Sequence, residues 1–224
     1  MYYKIFSNYI TKDTIHESEL QIKGADYHCD IFGPNSISSY YGKKLEPNNI
    51  ILPDIKLNSK MIPTDLIDIY SVSISGLGPH TLIASTKLKS LIMDHADASW
   101  TCIPIKIIHR EKLLLHYWLI HGYQDRSDII DYRQTKFSIC NSIGNKLSDI
   151  YIESHEAYLE ASAELATKRQ FIRKEQITFN ESLSNAHLLY LNFVSDFSPS
   201  IYVSESLKSV IDTDGCTGIG FDPH

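Results

Sequence analysis

The hydrophobic pattern changes period several times along the chain. From Ile103 to Tyr123 the run IPIKIIHREKLLLHYWLIHGY holds two β-rich blocks separated by His109-Arg110-Glu111-Lys112, which is the pattern of a hairpin. Residues 154–174 follow a helical period instead, with Tyr158, Ala161, Leu165 and Ile172 on the expected buried side. Glu156, Glu160 and Glu164 load the first half of that segment, and Lys168, Arg169, Arg173 and Lys174 the second, the charge order a helix dipole favours. Lys136–Cys140, Gln176–Phe179 and Leu188–Val194 read as further strands. Upstream, Asn48–Leu57 supplies a short strand or two, and Leu66–Gly76 a strand that ends at Gly76-Leu77-Gly78-Pro79. Turn signals stand at Gly33-Pro34, Glu46-Pro47-Asn48-Asn49 and Pro53-Asp54.

One pattern occurs twice. TLIASTKLKSLI at 81–92 lies over SIYVSESLKSVI at 200–211, so that Ser85, Leu88, Lys89, Ser90 and Ile92 match Ser204, Leu207, Lys208, Ser209 and Ile211. At the same offset Pro104 falls on Pro223. Each copy reads as a strand ending in Ser, which caps the helix that follows by accepting a bond from an orphan N–H. Leu88, Leu91 and Ile92, or Leu207, Val210 and Ile211, then form one apolar stripe, with Lys89 or Lys208 facing water. In the second copy the elements run Ile201–Ser204, Glu205–Ile211, a turn at Asp214-Gly215 and a strand through Ile219–Phe221. Strand–Ser–helix is also a common local pattern, and the sequence leaves duplication and chance agreement evenly balanced. The fold expected is α+β, with a mixed or mainly antiparallel sheet and a few helices, in one domain over residues 1–224 with a subdivision point near residue 145.

At 224 residues, 43% apolar and 21% charged, the chain can bury a substantial core. No uninterrupted apolar stretch has the length of a membrane helix, and the first twenty residues lack a basic region followed by an apolar core and a small-residue cleavage site. A cytoplasmic protein without membrane contact is expected. Cys29, Cys102, Cys140 and Cys216 are far apart and form no Cys-x-x-Cys pair, which favours reduced thiols over bridges or metal ligands. The net charge of −6 argues against nucleic acid as a direct ligand and suits a basic protein partner.

Candidate chemistry is sparse. His116 and His121 would point to opposite faces of a strand, and His155-Glu156 lacks a second His at zincin spacing. Asp212–Gly215 lacks the later acidic positions of a calcium loop, and Gly76-x-Gly78 lacks the third glycine of a dinucleotide fingerprint. No nucleophile elbow or Walker loop is present. No catalytic residue, metal ligand or cofactor is assigned. As partner-binding candidates the sequence offers first Glu156, Glu160 and Glu164, at i, i+4 and i+8, and second Asp125, Asp128 and Asp131. Against the first stands a solvated helix face partly neutralised by Lys168; against the second, turn carboxylates beside Arg126 and Arg133.

The closing stretch YVSESLKSVI, followed by GCTGIGFDP with Gly215, Thr217, Gly218, Phe221 and Pro223 in order, resembles the end of bacterial immunity proteins of polymorphic-toxin systems, immunity families 43 and 11. The resemblance covers mainly residues 176–224, and more loosely DIIDYRQTKF. It implies a cytosolic inhibitor that binds a cognate toxin domain, a basic nuclease among other chemistries, and blocks its active site. In it Ser204 caps, Leu207 packs, Gly215 and Gly218 permit turns and Phe221 buries, so the motif is a scaffold. The rival reading is a small hydrolase or transferase using central His and Asp residues. A third, a structural subunit of a secretion machine, would call for a broad apolar patch.

Overall fold

The computed structural model describes residues 1–7, 20–23, 54–57, 68–70, 81–109, 111–180, 185–191 and 201–224, with Lys43, Lys44, Glu46, Ile50 and Leu52 as isolated positions. The fold is α+β. Its elements are β1 (Tyr2–Ser7), β2 (Leu20–Lys23), β3 (Asp54–Leu57), β4 (Ile69–Tyr70), β5 (Thr81–Ser85), α1 (Thr86–Met93), β6 (Trp100–His109) and β7 (Lys112–Gly122). They continue with β8 (Lys136–Asn141), β9 (Lys146–Ile150), α2 (His155–Thr167), β10 (Gln170–Gln176), β11 (Leu188–Tyr190), β12 (Ile201–Ser204), α3 (Glu205–Thr213) and β13 (Ile219–Pro223). Among the described residues three sheets have the orders β11-β12-β1-β13, β10-β8-β9 and β2-β3-β6-β7-β5-β4, and every strand pair is antiparallel except β3 with β6. The expected turns at Gly33-Pro34 and Gly76–Pro79, and most of the strand expected over 66–76, lie outside the described residues, as does Cys29.

The repeat is real in three dimensions. Strand order β4-β5-β7-β6 in the large sheet is matched by β11-β12-β1-β13 in the four-stranded one. Moving Ser85 onto Ser204, a shift of 119 residues, carries the Ile69–Ala84 pair onto Leu188–Val203 and Tyr70–Ile83 onto Leu189–Tyr202. It also carries Trp100, Cys102 and Pro104 of β6 onto Ile219, Phe221 and Pro223 of β13. Their partners Gly122, Ile120 and Trp118 fall on Ser7, Ile5 and Tyr3. The strand equivalent to β7 is therefore β1, from the other end of the sequence.

Local contacts obey the same shift. Ser85 Oγ accepts from Leu88 N–H at 3.1 Å and Ser204 Oγ from Leu207 N–H at 3.3 Å, so both serines are the predicted N-caps. Ser85 N–H donates to the Asp68 carbonyl and Ser204 N–H to that of His187, again 119 apart. Lys89 lies 4.8 Å over the Trp118 ring, and Lys208 lies 5.4 Å over Tyr3. These lysines, expected to face only water, thus cover aromatic rings. Chance agreement of a dozen residues does not produce equivalent strand registers, caps and cation–π pairs.

The two units share a core. Leu82, Ala84, Trp100 and Ile120 from one sheet pack with Ile5, Leu188, Ile201 and Val203 from the other and with Leu88, Ile92, Leu207 and Ile211 of the helices. Each buried Leu or Ile here contributes about 1.5–3 kcal/mol. Val210, expected in the stripe, is instead exposed at the helix flank. Alternation sends Leu189 and Tyr202 to the opposite face of the four-stranded sheet, where they join Phe137, Tyr158, Leu165 and Ile172. That second core belongs to residues 123–180, a segment inserted between the duplicated units and built from β8–β10 and α2.

The helix expected over 154–174 is shorter. It stops at Thr167; Lys168 caps it and Arg169 turns the chain with φ 56, in the left-handed region. Phe171 and Ile172 then pair with Cys140 and Ile139 as part of β10. Ile172 and Lys174 are the buried positions of this strand, and pairing with β8, not a period in the sequence, sets it. Ile172 is buried, but from a strand. Asn145 sits in the β8–β9 turn, so a boundary there would cut a paired hairpin.

Removing either cap hydroxyl should be felt equally. Ser85→Ala and Ser204→Ala are each expected to lower unfolding stability by about 1 kcal/mol in urea titrations. A loss confined to one of the two would contradict their equivalence.

Candidate functional site

The inserted segment carries the sequence-predicted site residues. Ser154 begins α2 by accepting from Ala157 N–H at 3.2 Å, and Tyr158 and Leu165 turn inward against β8 and β10. Glu156, Glu160 and Glu164, spaced at whole turns, are left on the outer face and are exposed. Glu164 accepts from Lys168 Nζ at 2.6 Å, which holds its carboxyl below the ordinary range. Glu156 is also held low, by its own backbone N–H and then by Ser154.

Asp125, Asp128 and Asp131 brace the turns that lead into β8. Asp125 accepts from Ser127 Oγ at 2.8 Å; Asp128 receives Arg126 Nε at 3.0 Å; Asp131 receives the backbone N–H of Arg133 at 3.1 Å and the Gln134 amide at 2.9 Å. These contacts are all made within the same turns. Part of this set nevertheless meets the first one at Tyr132. That phenol is pushed well above its ordinary range, first by burial and then by Tyr158, Asp125, Asp128 and Glu156. Its hydroxyl lies 2.8 Å from His155 Nδ1 and donates to the Ser127 carbonyl at 2.8 Å when the ring nitrogen donates to it. Tyr132 and His155 thus tie the start of α2 to the Asp-bearing turn.

Beneath α2, Lys174 is fully buried, with Nζ 3.2 Å from Tyr158 OH and 4.8 Å from the Tyr158 ring. Burial pushes its ammonium down to about 8, against a smaller upward pull from Asp125.

Sequence reasoning missed the apolar part of this surface. Ile143 is 75% exposed, Tyr151 72%, Leu159 53% and Leu147 51%, and all four lie on the β8–β9 hairpin, α2 or the link between them. Leu159 is out of phase with the stripe of Tyr158, Ala161 and Leu165, a signal visible in the helical wheel. The other three sit between Gly144-Asn145 and the start of the helix, or at that turn, where no element was read from the sequence.

Elsewhere, a cleft of about 610 Å³ is lined by Met1, Tyr2, Asn185–His187 and Ser204–Ser206. His187 Nδ1 lies 2.9 Å from both Ser204 Oγ and Ser206 Oγ. At the equivalent place in the other unit Asp68 Oδ1 accepts from Ser85 Oγ at 2.5 Å. His187 therefore stands where Asp68 stands, bracing a helix cap. Of the central histidines, His121 is buried and His116 exposed, on opposite faces as expected. Among the described residues no group of three His, Cys, Asp or Glu side chains could hold a metal ion, and no helix is long and apolar enough to cross a membrane. Cys102, Cys140 and Cys216 are free thiols, Cys140 buried and the others half-buried.

No protein-family model matches this sequence, and no curated protein matches it.

The buried ammonium has a testable consequence. Between about pH 8 and the ordinary lysine range the unfolded chain holds a proton at Lys174 that the folded chain has released, so stability attributable to this group rises with pH across that window. Relative to Lys174→Met, the native protein is expected to gain on the order of 3 kcal/mol between pH 7.5 and 10.5 in denaturant titrations. Parallel curves for the two proteins would show that Lys174 is not depressed.

Proposed function

We propose that this chain is a binding protein of the immunity type, which sequesters a cognate bacterial toxin domain in the cytoplasm and blocks its approach to substrate. The observation that carries the reading is the surface of the inserted segment. Glu156, Glu160 and Glu164 lie exposed beside Leu159, and the three carboxylates are not used to hold the core. An exposed apolar side chain among carboxylates fits a protein surface that is basic and partly apolar, where complementarity speeds encounter and excludes wrong partners.

The residues that carry the resemblance to immunity families 43 and 11 do the work of a scaffold. Ser204 caps α3, Leu207 is fully buried, and Gly215 and Gly218 take φ of 68 and 71. Gly220 lies against the Phe6 ring, where a Cβ would collide. Phe221 is half-buried under Lys208 rather than fully buried. A scaffold held this way leaves recognition to the inserted segment.

A hydrolytic reading has one observation in its favour, the contact of His187 with Ser206 beside the cleft. The contact of the same His187 nitrogen with the cap Ser204 gives that histidine a structural use, and we rank catalysis second.

Co-expression with the C-terminal domain encoded by the adjacent upstream gene tests the proposal. Growth rescue and a one-to-one complex are expected, and joint replacement of Glu156, Glu160 and Glu164 by Lys should weaken that complex at least about tenfold while leaving the melting temperature within a few degrees. Rescue that survives Ser206→Ala but not the triple reversal favours binding. Unchanged affinity in the triple variant would remove the α2 face from the interface, and absence of toxicity or complex would overturn the proposal.

A further inference from the structure

The two duplicated units meet reciprocally, and the two meeting points differ in charge. Under the 119-residue shift Asp68 corresponds to His187, Lys87 to Ser206 and His95 to Asp214. At one junction Asp68 of the first unit lies against the turn after α3, where its Oδ2 accepts from Thr217 N–H at 2.8 Å. Lys87 Nζ donates there to the Asp214 and Gly215 carbonyls at 2.6 and 3.2 Å and lies 3.4 Å from the Asp214 carboxylate. At the other junction the roles are exchanged. His187 of the second unit lies against His95, which follows α1, with ring centroids 5.4 Å apart and planes at 87°. Ser206 stands where Lys87 stands, so the place of the first junction's ammonium holds a hydroxyl.

Each imidazole uses one nitrogen within its own unit. His95 Nδ1 lies 2.9 Å from the Leu91 carbonyl, which can only accept, so in the neutral ring Nδ1 carries the proton and Nε2 the lone pair. His187 Nδ1 lies 2.9 Å from the hydroxyls of Ser204 and Ser206. Among the described residues Nε2 of neither ring has a hydrogen-bond partner, and neither ring forms an ion pair. One nitrogen hydrogen-bonded and the other bare is the arrangement of a metal-bound histidine. Two imidazoles bound to zinc at about 2.0–2.1 Å, with a near-tetrahedral angle, hold their centroids roughly 5.2 Å apart. The observed 5.4 Å matches. A ring pair alone also packs in this range, and the two bare nitrogens on facing units decide for a metal. We propose that His95 and His187 bind a transition-metal ion of the zinc type, which ties the end of α1 to the start of β11 as Lys87 ties the other junction. Magnesium and calcium, which want oxygen ligands, would not be held. No third His, Cys, Asp or Glu joins the pair among the described residues, so water completes the shell and the ion exchanges readily. The site is independent of the toxin-binding reading.

The test titrates zinc chloride into the full chain, first freed of metal with a chelator, and follows histidine ring signals by NMR alongside the heat of binding. One-to-one uptake is expected, with the His95 and His187 rings moving together before any other and exposed His116 unmoved at one equivalent. Magnesium at the same concentration should leave both rings in place. Zinc affinity should fall at least about tenfold in His95→Gln, and as far in Ser206→Lys, which copies the ammonium of the other junction beside the rings. Ser206 is exposed, so the second variant keeps the fold even where His95→Gln does not. Zinc that moves other rings first, affinity that survives His95→Gln, or no uptake at one equivalent would each overturn the proposal.

Discussion

The pairing of β1 between β12 and β13 is the contact on which the rest depends. Tyr2–Lys4 pair with β12 while Tyr3–Ser7 pair with β13, so the second duplicated unit closes only when segments about 200 residues apart meet. Such long-range closure is entropically costly and slow, and local structure must be ready to reward it. The capped α3 supplies that readiness: Ser204 fixes its start, and Leu207 and Ile211 are presented to the shared core. Once β1 is in place, its opposite face carries Tyr2 into the core of the inserted segment. The inserted segment, with its exposed carboxylates, is thereby anchored to the duplicated scaffold.

Duplication accounts for the part the closing motif plays in the scaffold. Residues repeated between the units serve caps, turns and packing, as with Ser85 and Ser204 or Leu88 and Leu207. Where the units differ, the difference is local, as with Asp68 and His187 bracing equivalent serines. Among the described residues the inserted segment shows no counterpart of this kind. It carries most of the large exposed apolar side chains among the described residues, Ile143, Leu147, Tyr151 and Leu159, beside the carboxylates of α2.

Much of the scaffold was legible because it rests on short-range rules. The β6–β7 hairpin, the two Ser-capped helices and the strand at Lys136 follow from period, capping and turn residues. The full repeat was not, because β7 and its equivalent β1 lie in opposite order along the chain, and a colinear comparison stops at β6 and β13. The end of α2 was misread because Ile172 continues the helical stripe by spacing, while pairing with Ile139 decides it as a strand. The acidic half of the candidate surface was visible in Glu156, Glu160 and Glu164. Its apolar half was not, since exposure of Leu147 and Tyr151 depends on which edge of β9 the sheet leaves open.

The most direct measurement of the central claim is hydrogen exchange by mass spectrometry on the chain alone and in complex with its co-purified partner. The account predicts slowed exchange across residues 143–164, with the duplicated units unchanged. Slowed exchange confined to the duplicated units, with 143–164 unaffected, would contradict it.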